Sequence, residues 1–106
     1  MQTKVYVTGI GIVSPLGLDT QSTWSSLLQG KSGINTIESF DTTQFSTTIA
    51  GEIPDFDPLN YLDRKQARRM DRFSQLAAAA TAEALLQAHL EMPKDGHNVA
   101  VIIGSG

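Results

Sequence analysis

Positively charged side chains are concentrated in one short stretch of this sequence. Five of the eight Lys and Arg residues fall within nine positions of a chain whose formal net charge is −3: Arg64, Lys65, Arg68, Arg69 and Arg72. If the stretch is helical, the last four stand at i, i+3, i+4 and i+7 and share one face. Such a face is either simply solvated, with Asp63 and Asp71 partly neutralising it, or a docking surface for an acidic partner. Apart from Phe73, no aromatic residue flanks the run to stack on bases, so nucleic acid is the less favoured partner.

Side chains able to act as nucleophiles, bases or metal ligands are scarce. The sequence has no cysteine, and its two histidines, His89 and His97, are not spaced as a pair of metal ligands. Neither histidine has a nearby nucleophile, and no serine stands in the strand-turn-helix elbow of a hydrolase. We therefore predict no metal, no cofactor, and structural or surface roles for both histidines.

A Gly9-Ile10-Gly11 pair follows the first apolar segment and invites comparison with a dinucleotide-binding turn. The third glycine of that motif is replaced by Ser14, Pro15 follows at once, and the next helix begins too late to meet a pyrophosphate. A GxG pair alone is a weak signal, so a structural turn is favoured and an independent Rossmann-like cofactor domain is the weaker alternative.

Composition indicates one small folded unit over residues 1–106, with no internal domain boundary. Hydrophobic residues make up 41% and charged residues 18% of the chain, which is ordinary for a folded protein and excludes disordered or fibrous classes. The most apolar window, residues 76–90, contains Glu83 and Gln87 and is dominated by alanine, so no membrane span is expected. The N-terminus lacks the pattern of a secretory signal, which favours a cytoplasmic location.

Apolar segments predict the strands of an α/β fold. Residues 3–13 and 99–103 are rich in β-branched residues, and the second run is continuously apolar, as in a strand of a parallel sheet covered on both faces. A further short strand is expected near residues 47–53. The intervening residues 31–57 are otherwise irregular, and their length favours a function or an interface over mere connection.

Helical periodicity and capping signals predict the remaining elements. Helices are expected over residues 20–29, in a short turn that begins at Pro58 after Asp57, and over about residues 70–90. Asp19 or Thr20 is expected to cap the first helix and Gly30 to end it, whereas Pro93 and Gly96 are expected to end the last.

Alanine forms a stripe along the last predicted helix. The stripe consists of Ala77, Ala80, Ala84 and Ala88, which are three or four positions apart. Such a flat face permits close packing against a sheet or another helix.

Several short motifs follow one another along the chain. They are Val7-Thr8-Gly9 with Gly11, Ser14-Pro15-Leu16-Gly17, Thr23-Trp24 with Leu27-Leu28 and Gly30, Ser32-Gly33-Ile34, Phe40-Asp41, Ala50-Gly51, Arg69-Met70-Asp71-Arg72-Phe73 and Ile103-Gly104-Ser105-Gly106. With these motifs in this order, essentially the whole chain resembles the N-terminal part of a β-ketoacyl-acyl-carrier-protein synthase. This is the condensing-enzyme family of fatty acid and polyketide synthesis, and the likeness is to its elongation type II branch.

The resemblance implies a thiolase-like α/β fold, layered α-β-α-β-α, built from two duplicated halves and usually assembled as a homodimer. This chain would be the N-terminal portion of the first half. The family loads an acyl chain onto a cysteine, decarboxylates malonyl-carrier protein and joins the two, with two histidines stabilising the developing charge. In the family these three residues follow the Gly104-Ser105-Gly106 motif, so the resemblance assigns no catalytic residue here and matches neither His89 nor His97 to one.

The resemblance also gives the basic stretch a role. In relatives of this type, positive residues matching Lys65, Arg68 and Arg69 help to bind the acidic acyl carrier protein, whereas Arg64 and Arg72 are supported by charge alone. The implied function is part of a 3-oxoacyl-carrier-protein synthase that supplies scaffold, dimer surface and carrier docking. The alternative is a non-catalytic partner resembling a chain-length factor, which would share these motifs but lack the cysteine.

The segment by itself is expected to be inactive. We also expect it to be unstable or to aggregate in isolation, because its two apolar strands would lack sheet neighbours and leave hydrogen-bonding edges open.

Overall fold

The computed structural model describes residues 1–92 and 96–106. Its elements in chain order are α1 (Thr20–Leu28), β1 (Asn35–Thr36), β2 (Ile49–Ala50), a 3-10 helix (Pro58–Asn60), α2 (Arg64–Arg69) and α3 (Arg72–Gln87). Strands β1 and β2 pair antiparallel, so the strand expected near residues 47–53 is present but short. In the described part of the chain, no helix is both long enough and apolar enough to cross a membrane.

Helix α1 begins and ends where the capping signals predict. The Asp19 carboxylate accepts the N–H of Ser22 at 2.7 Å, and the Ser22 hydroxyl faces the Asp19 N–H to complete a capping box. The hydroxyl and the backbone N–H of Ser22 hold the pKa of Asp19 below its ordinary value. Gly30 follows the helix with φ of 68°, a left-handed conformation that glycine adopts at little cost. The predicted helix and both boundary residues are confirmed.

A closed turn before α1 is fastened to that helix by hydroxyl groups. Ser14 and Gly17 exchange backbone hydrogen bonds, with the Ser14 N–H donating to the Gly17 carbonyl at 2.8 Å. The buried Thr23 hydroxyl is hydrogen-bonded to the Ser14 hydroxyl at 2.9 Å, and the Ser26 hydroxyl donates to Leu16 O at 2.9 Å. The motif of residues 14–17 therefore has a structural role that orients α1.

The segments predicted as buried strands do not form hydrogen-bonded strands. Residues 3–13 and 99–103 run without a strand assignment, and most of their apolar side chains are solvent-exposed, with Val5 at 89% and Ile102 at 92%, whereas Ile12 and Val13 are half-buried. A strand forms only where a neighbouring backbone supplies a ladder, and within residues 1–92 and 96–106 neither segment pairs with a strand. The prediction of two strands is therefore wrong for this structure.

Side chains of α3 bind the backbone of the first segment instead. The Gln87 amide oxygen accepts the N–H of Ile10 at 2.6 Å, and a Glu83 carboxylate oxygen accepts the N–H of Ile12 at 2.9 Å. The other Glu83 oxygen accepts the N–H of Thr20 at 2.8 Å, at the start of α1. One carboxylate thereby ties the N-terminal segment and α1 to α3.

The alanine stripe of α3 lets the first segment approach closely. A Cβ added to Gly11 would collide with the carbonyl oxygen of Ala80, and one added to Gly9 with that of Ala84. Ala79 on the same helix is 1% exposed. Close packing on this stripe is confirmed, but its partner is the N-terminal segment, which forms no strand, and not a sheet or another helix. The two glycines of the GxG pair are needed for this contact with α3.

Helix α3 ends earlier than the sequence predicts. Its last residue is Gln87, and His89 follows in the left-handed region with φ of 52°. The N–H of His89 donates to Leu86 O at 3.2 Å, so this histidine closes the helix end, a place that glycine more often occupies. Of the two residues expected to end the helix, Gly96 lies well beyond its end and Pro93 lies outside the described residues.

Candidate functional site

The basic stretch begins with a well-capped short helix. Asp63 caps α2 by accepting the N–H of Gln66 at 2.8 Å, and the Gln66 side chain reaches back to the Asp63 N–H at 3.4 Å. Just before it, Asp57 caps the 3-10 helix by accepting the N–H of Leu59 at 2.9 Å, which confirms the helical turn predicted at Pro58. These local caps fix the residue at which the helix that carries the basic side chains begins.

Three predicted docking residues lie together on α2. Lys65, Arg68 and Arg69, which we call the basic face, are all exposed and stand at i, i+3 and i+4 of one helix. Arg64 is exposed at the first position of the same helix. The arrangement presents several cations over a single helical turn, which is suited to attracting a negatively charged surface.

Arg72 does not belong to this face, contrary to the helical spacing used in the prediction. Met70 ends α2 with an extended backbone, φ −112° and ψ 135°, so the helix does not run on to Arg72. The Arg72 guanidinium instead donates to Ile53 O at 2.8 Å and to Phe56 O at 3.1 Å. It also lies 4.8 Å from the centre of the Phe56 ring. Arg72 therefore clamps the preceding loop to the start of α3.

Phe56 forms the anchor beneath that loop. It is 4% exposed, and its ring stacks on Tyr61 with 5.7 Å between centroids and 16° between planes. Because Arg72 covers the same ring, the loop that leads into α2 is held against α3.

Gln75 joins α2 to α3 and was missed by sequence reasoning. Its side-chain amide donates to Ala67 O at 3.0 Å and to Met70 O at 3.3 Å, at the C-terminal end of α2. Glutamine is a good helix former, so its presence near the start of α3 does not predict a contact with another helix. The Asp71 that precedes α3 is the local signal for a break between two helices, because aspartate favours the N-cap position.

A cluster of polar groups around Glu52 lies near Arg72. The Glu52 carboxylate accepts the N–H of Glu38 at 2.9 Å and both the N–H and the hydroxyl of Ser39. These donors, the Glu38 N–H foremost, hold the pKa of Glu52 below its ordinary value. Together with Arg72 and Leu76 these residues line a cavity of about 480 Å³. The carboxylate is occupied in fixing the loop at residues 38–39.

The described residues do not form a metal site. Among residues 1–92 and 96–106, no group of three or more His, Asp or Glu side chains is placed to hold a metal ion. His97 is exposed.

Comparison with known proteins gives one consistent result. The profile described as "Beta-ketoacyl synthase, N-terminal domain" matches residues 2–106. Over 104 residues, 97% of this chain, the sequence is 47% identical to 3-oxoacyl-[acyl-carrier-protein] synthase 2 of Vibrio harveyi and 41% identical to the protein of that name from Staphylococcus aureus (strain COL). The chain spans 25% of the length of each of these curated relatives. A solved structure of the ishigamide ketosynthase/chain length factor matches with TM-score 0.71 and 34% identity, covering 80% of this chain and 21% of that one.

Proposed function

The chain belongs to the β-ketoacyl synthase family, and we propose that it is the N-terminal part of a 3-oxoacyl-acyl-carrier-protein synthase that elongates acyl chains in fatty acid biosynthesis. The observation that carries this proposal is the 47% identity over 97% of the chain to a synthase of that name. A thiolase-like layered fold, a homodimeric assembly and a cytoplasmic location belong to the same proposal.

The proposed reaction is a decarboxylative Claisen condensation. An acyl group passes from a carrier thioester to a cysteine thiolate, and the first carrier thiol leaves. Loss of CO₂ from malonyl-carrier protein gives an enolate, whose carbon attacks the acyl-cysteine carbonyl and expels the cysteine as thiolate. Because this chain has no cysteine, the nucleophile belongs to another part of the proposed protein.

The part we assign to this chain is scaffold, dimer surface and carrier docking. Lys65, Arg68 and Arg69 are the proposed docking residues, and an acyl carrier protein is the proposed partner because it is acidic. Supporting this role, all three side chains are exposed and lie on one capped helix. Complementary charge accelerates encounter and fixes orientation between two proteins.

Charge reversal on the basic face tests the docking role. In the full-length protein, Arg68→Glu should raise the KM for malonyl-carrier protein at least about tenfold at low salt, because like charges would then face each other. The value of kcat, and condensation with a small malonyl thioester that needs no docking, should not change. Lys31→Glu is the control, since Lys31 is exposed but lies outside α2. An unchanged KM in Arg68→Glu would remove the docking role.

A second candidate is a non-catalytic partner of a condensing enzyme. The 34% identity to a ketosynthase/chain length factor structure supports this alternative. The purified full-length protein should condense acyl and malonyl thioesters alone and lose this activity on alkylation with iodoacetamide if it is a synthase. A protein inactive alone, but required by a separate ketosynthase subunit, would be the chain-length-factor type.

A further inference from the structure

The helix that carries the basic face depends on contacts from outside itself. Helix α2 has only six residues, and helices of this length are not stable alone in water. At its C-terminal end the N–H of Met70 donates to Ala67 O at 3.3 Å, which is long for such a hydrogen bond. The side-chain amide of Gln75 on α3 adds donors at this end, at 3.0 Å to Ala67 O and 3.3 Å to Met70 O.

The two ends of α2 are thus held in different ways. The first end is capped locally by Asp63 and Gln66, which are exposed. The last end is tied to α3 through Gln75, which is half-buried. Gln75 carries no charge and its side-chain NH₂ group already donates to α2, so we expect its effect on an acidic partner to act through the position of α2.

We propose that Gln75 is a positioning residue for carrier docking. By closing the C-terminal end of α2, it holds the basic face in the docking geometry before the carrier protein arrives. This inference rests on the proposed docking function. Without the two hydrogen bonds α2 would populate other arrangements, and the apparent affinity for the carrier would fall with the fraction of molecules that remain competent.

The test is Gln75→Met in the full-length protein, since methionine keeps the length of the side chain but cannot donate. We expect the KM for malonyl-carrier protein to rise about 3- to 10-fold, the range that losing a hydrogen bond of ordinary strength produces. We expect kcat, and the rate with a small malonyl thioester, to stay at wild-type values. Gln21→Met on α1 is the matched control because Gln21 is exposed and lies outside α2 and α3.

The outcomes separate this inference from the docking proposal. If Arg68→Glu raises the KM but Gln75→Met does not, the positioning role is overturned and the docking role stands. If Gln75→Met impairs turnover of the small thioester equally, its effect is a general loss of structure and the inference is again overturned. If neither variant changes the KM, the basic face is not the carrier dock and both fail.

A measurement on the wild-type protein covers the case in which Gln75→Met does not fold. Backbone amides of residues 67–70 should be protected from hydrogen exchange in the free protein, and addition of carrier protein should leave that protection unchanged. Protection that appears only after carrier protein is added would show that α2 is not preset, and would overturn the inference.

Discussion

Replacing Glu83 with glutamine tests how α3 holds the N-terminal segment. The two oxygens of this carboxylate accept the N–H of Ile12 at 2.9 Å and the N–H of Thr20 at 2.8 Å. A glutamine keeps one acceptor oxygen and turns an NH₂ group towards the other donor, so one backbone N–H loses its partner. A hydrogen bond to a charged group contributes about 1.5–3 kcal/mol, and for this partly exposed site we expect the lower end, about 1.5 kcal/mol.

Hydrogen exchange reports this loss at the two amides concerned. A change of about 1.4 kcal/mol in the free energy of local opening corresponds to a factor of about ten in exchange rate. In the full-length Glu83→Gln protein, the amide of Ile12 or of Thr20 should therefore exchange about tenfold faster than in wild type. Glu91→Gln makes the same chemical change at an exposed position and should have no effect. Equal rates in Glu83→Gln and wild type would refute the reasoning.

The same contact predicts a dependence on pH. Partial burial alone raises the pKa of Glu83, but the N–H groups of Thr20 and Ile12 outweigh it and hold that pKa below its ordinary value. A carboxyl whose pKa is lowered by folding stabilises the fold above the unfolded-state pKa, about 4.3 for glutamate. This stabilisation is lost as the pH falls through the folded-state pKa. Opening at both amides, corrected for intrinsic exchange, should increase over that range in wild type and not in Glu83→Gln.

Three further changes test other contacts in the full-length protein. Gly11→Ala should lower stability by about 1–3 kcal/mol in thermal unfolding, because the added Cβ collides with the carbonyl oxygen of Ala80 on α3, and an unchanged unfolding temperature would contradict this. Arg72→Met should lower the free energy of unfolding by about 1–3 kcal/mol, because it removes two hydrogen bonds to carbonyl groups and the contact with the Phe56 ring. Arg64→Met, at an exposed position, should change it little. Acidification through the lowered pKa of Glu52 should loosen the loop that this carboxylate binds, and Glu52→Gln should remove that pH dependence in limited proteolysis.

Features that depend on a few neighbouring residues could be predicted from the sequence. The Asp19 cap, the left-handed Gly30 and the turn at Pro58 each involve hydrogen bonds that span two to five positions. The residue types at such positions are selected by local geometry, so a single sequence contains the whole signal.

The strands could not be predicted in the same way. The apolar character of residues 3–13 and 99–103 indicates a preference for burial, but strand pairing needs a second backbone that those residues do not specify. The partners that Ile10 and Ile12 have in this structure are 77 and 71 positions away, and they are side chains of a helix. No period-two or period-3.6 pattern encodes such a contact.

The basic stretch contains one feature that the sequence predicts and one that it does not. The placement of Lys65, Arg68 and Arg69 on one exposed helical face follows from their spacing. The break after Arg69 does not follow from that spacing: methionine at position 70 is compatible with a continuous helix, and the N-cap preference of Asp71 is the local signal for a break. Arg72 then leaves the face because its guanidinium has acceptors in a loop that sequence periodicity does not describe.

Helix α3 performs two separate tasks along its length, and this separation can be tested. Its first turns hold the basic face through Gln75, whereas its later turns bind the N-terminal segment through Glu83 and Gln87. A loss at Glu83 should therefore leave α2 undisturbed. We expect Glu83→Gln to accelerate exchange at the Ile12 or Thr20 amide while the KM for malonyl-carrier protein stays at the wild-type value, and Gln75→Met to do the reverse. A rise in KM for Glu83→Gln would mean that α3 transmits the loss along its axis, and the two tasks would not be independent.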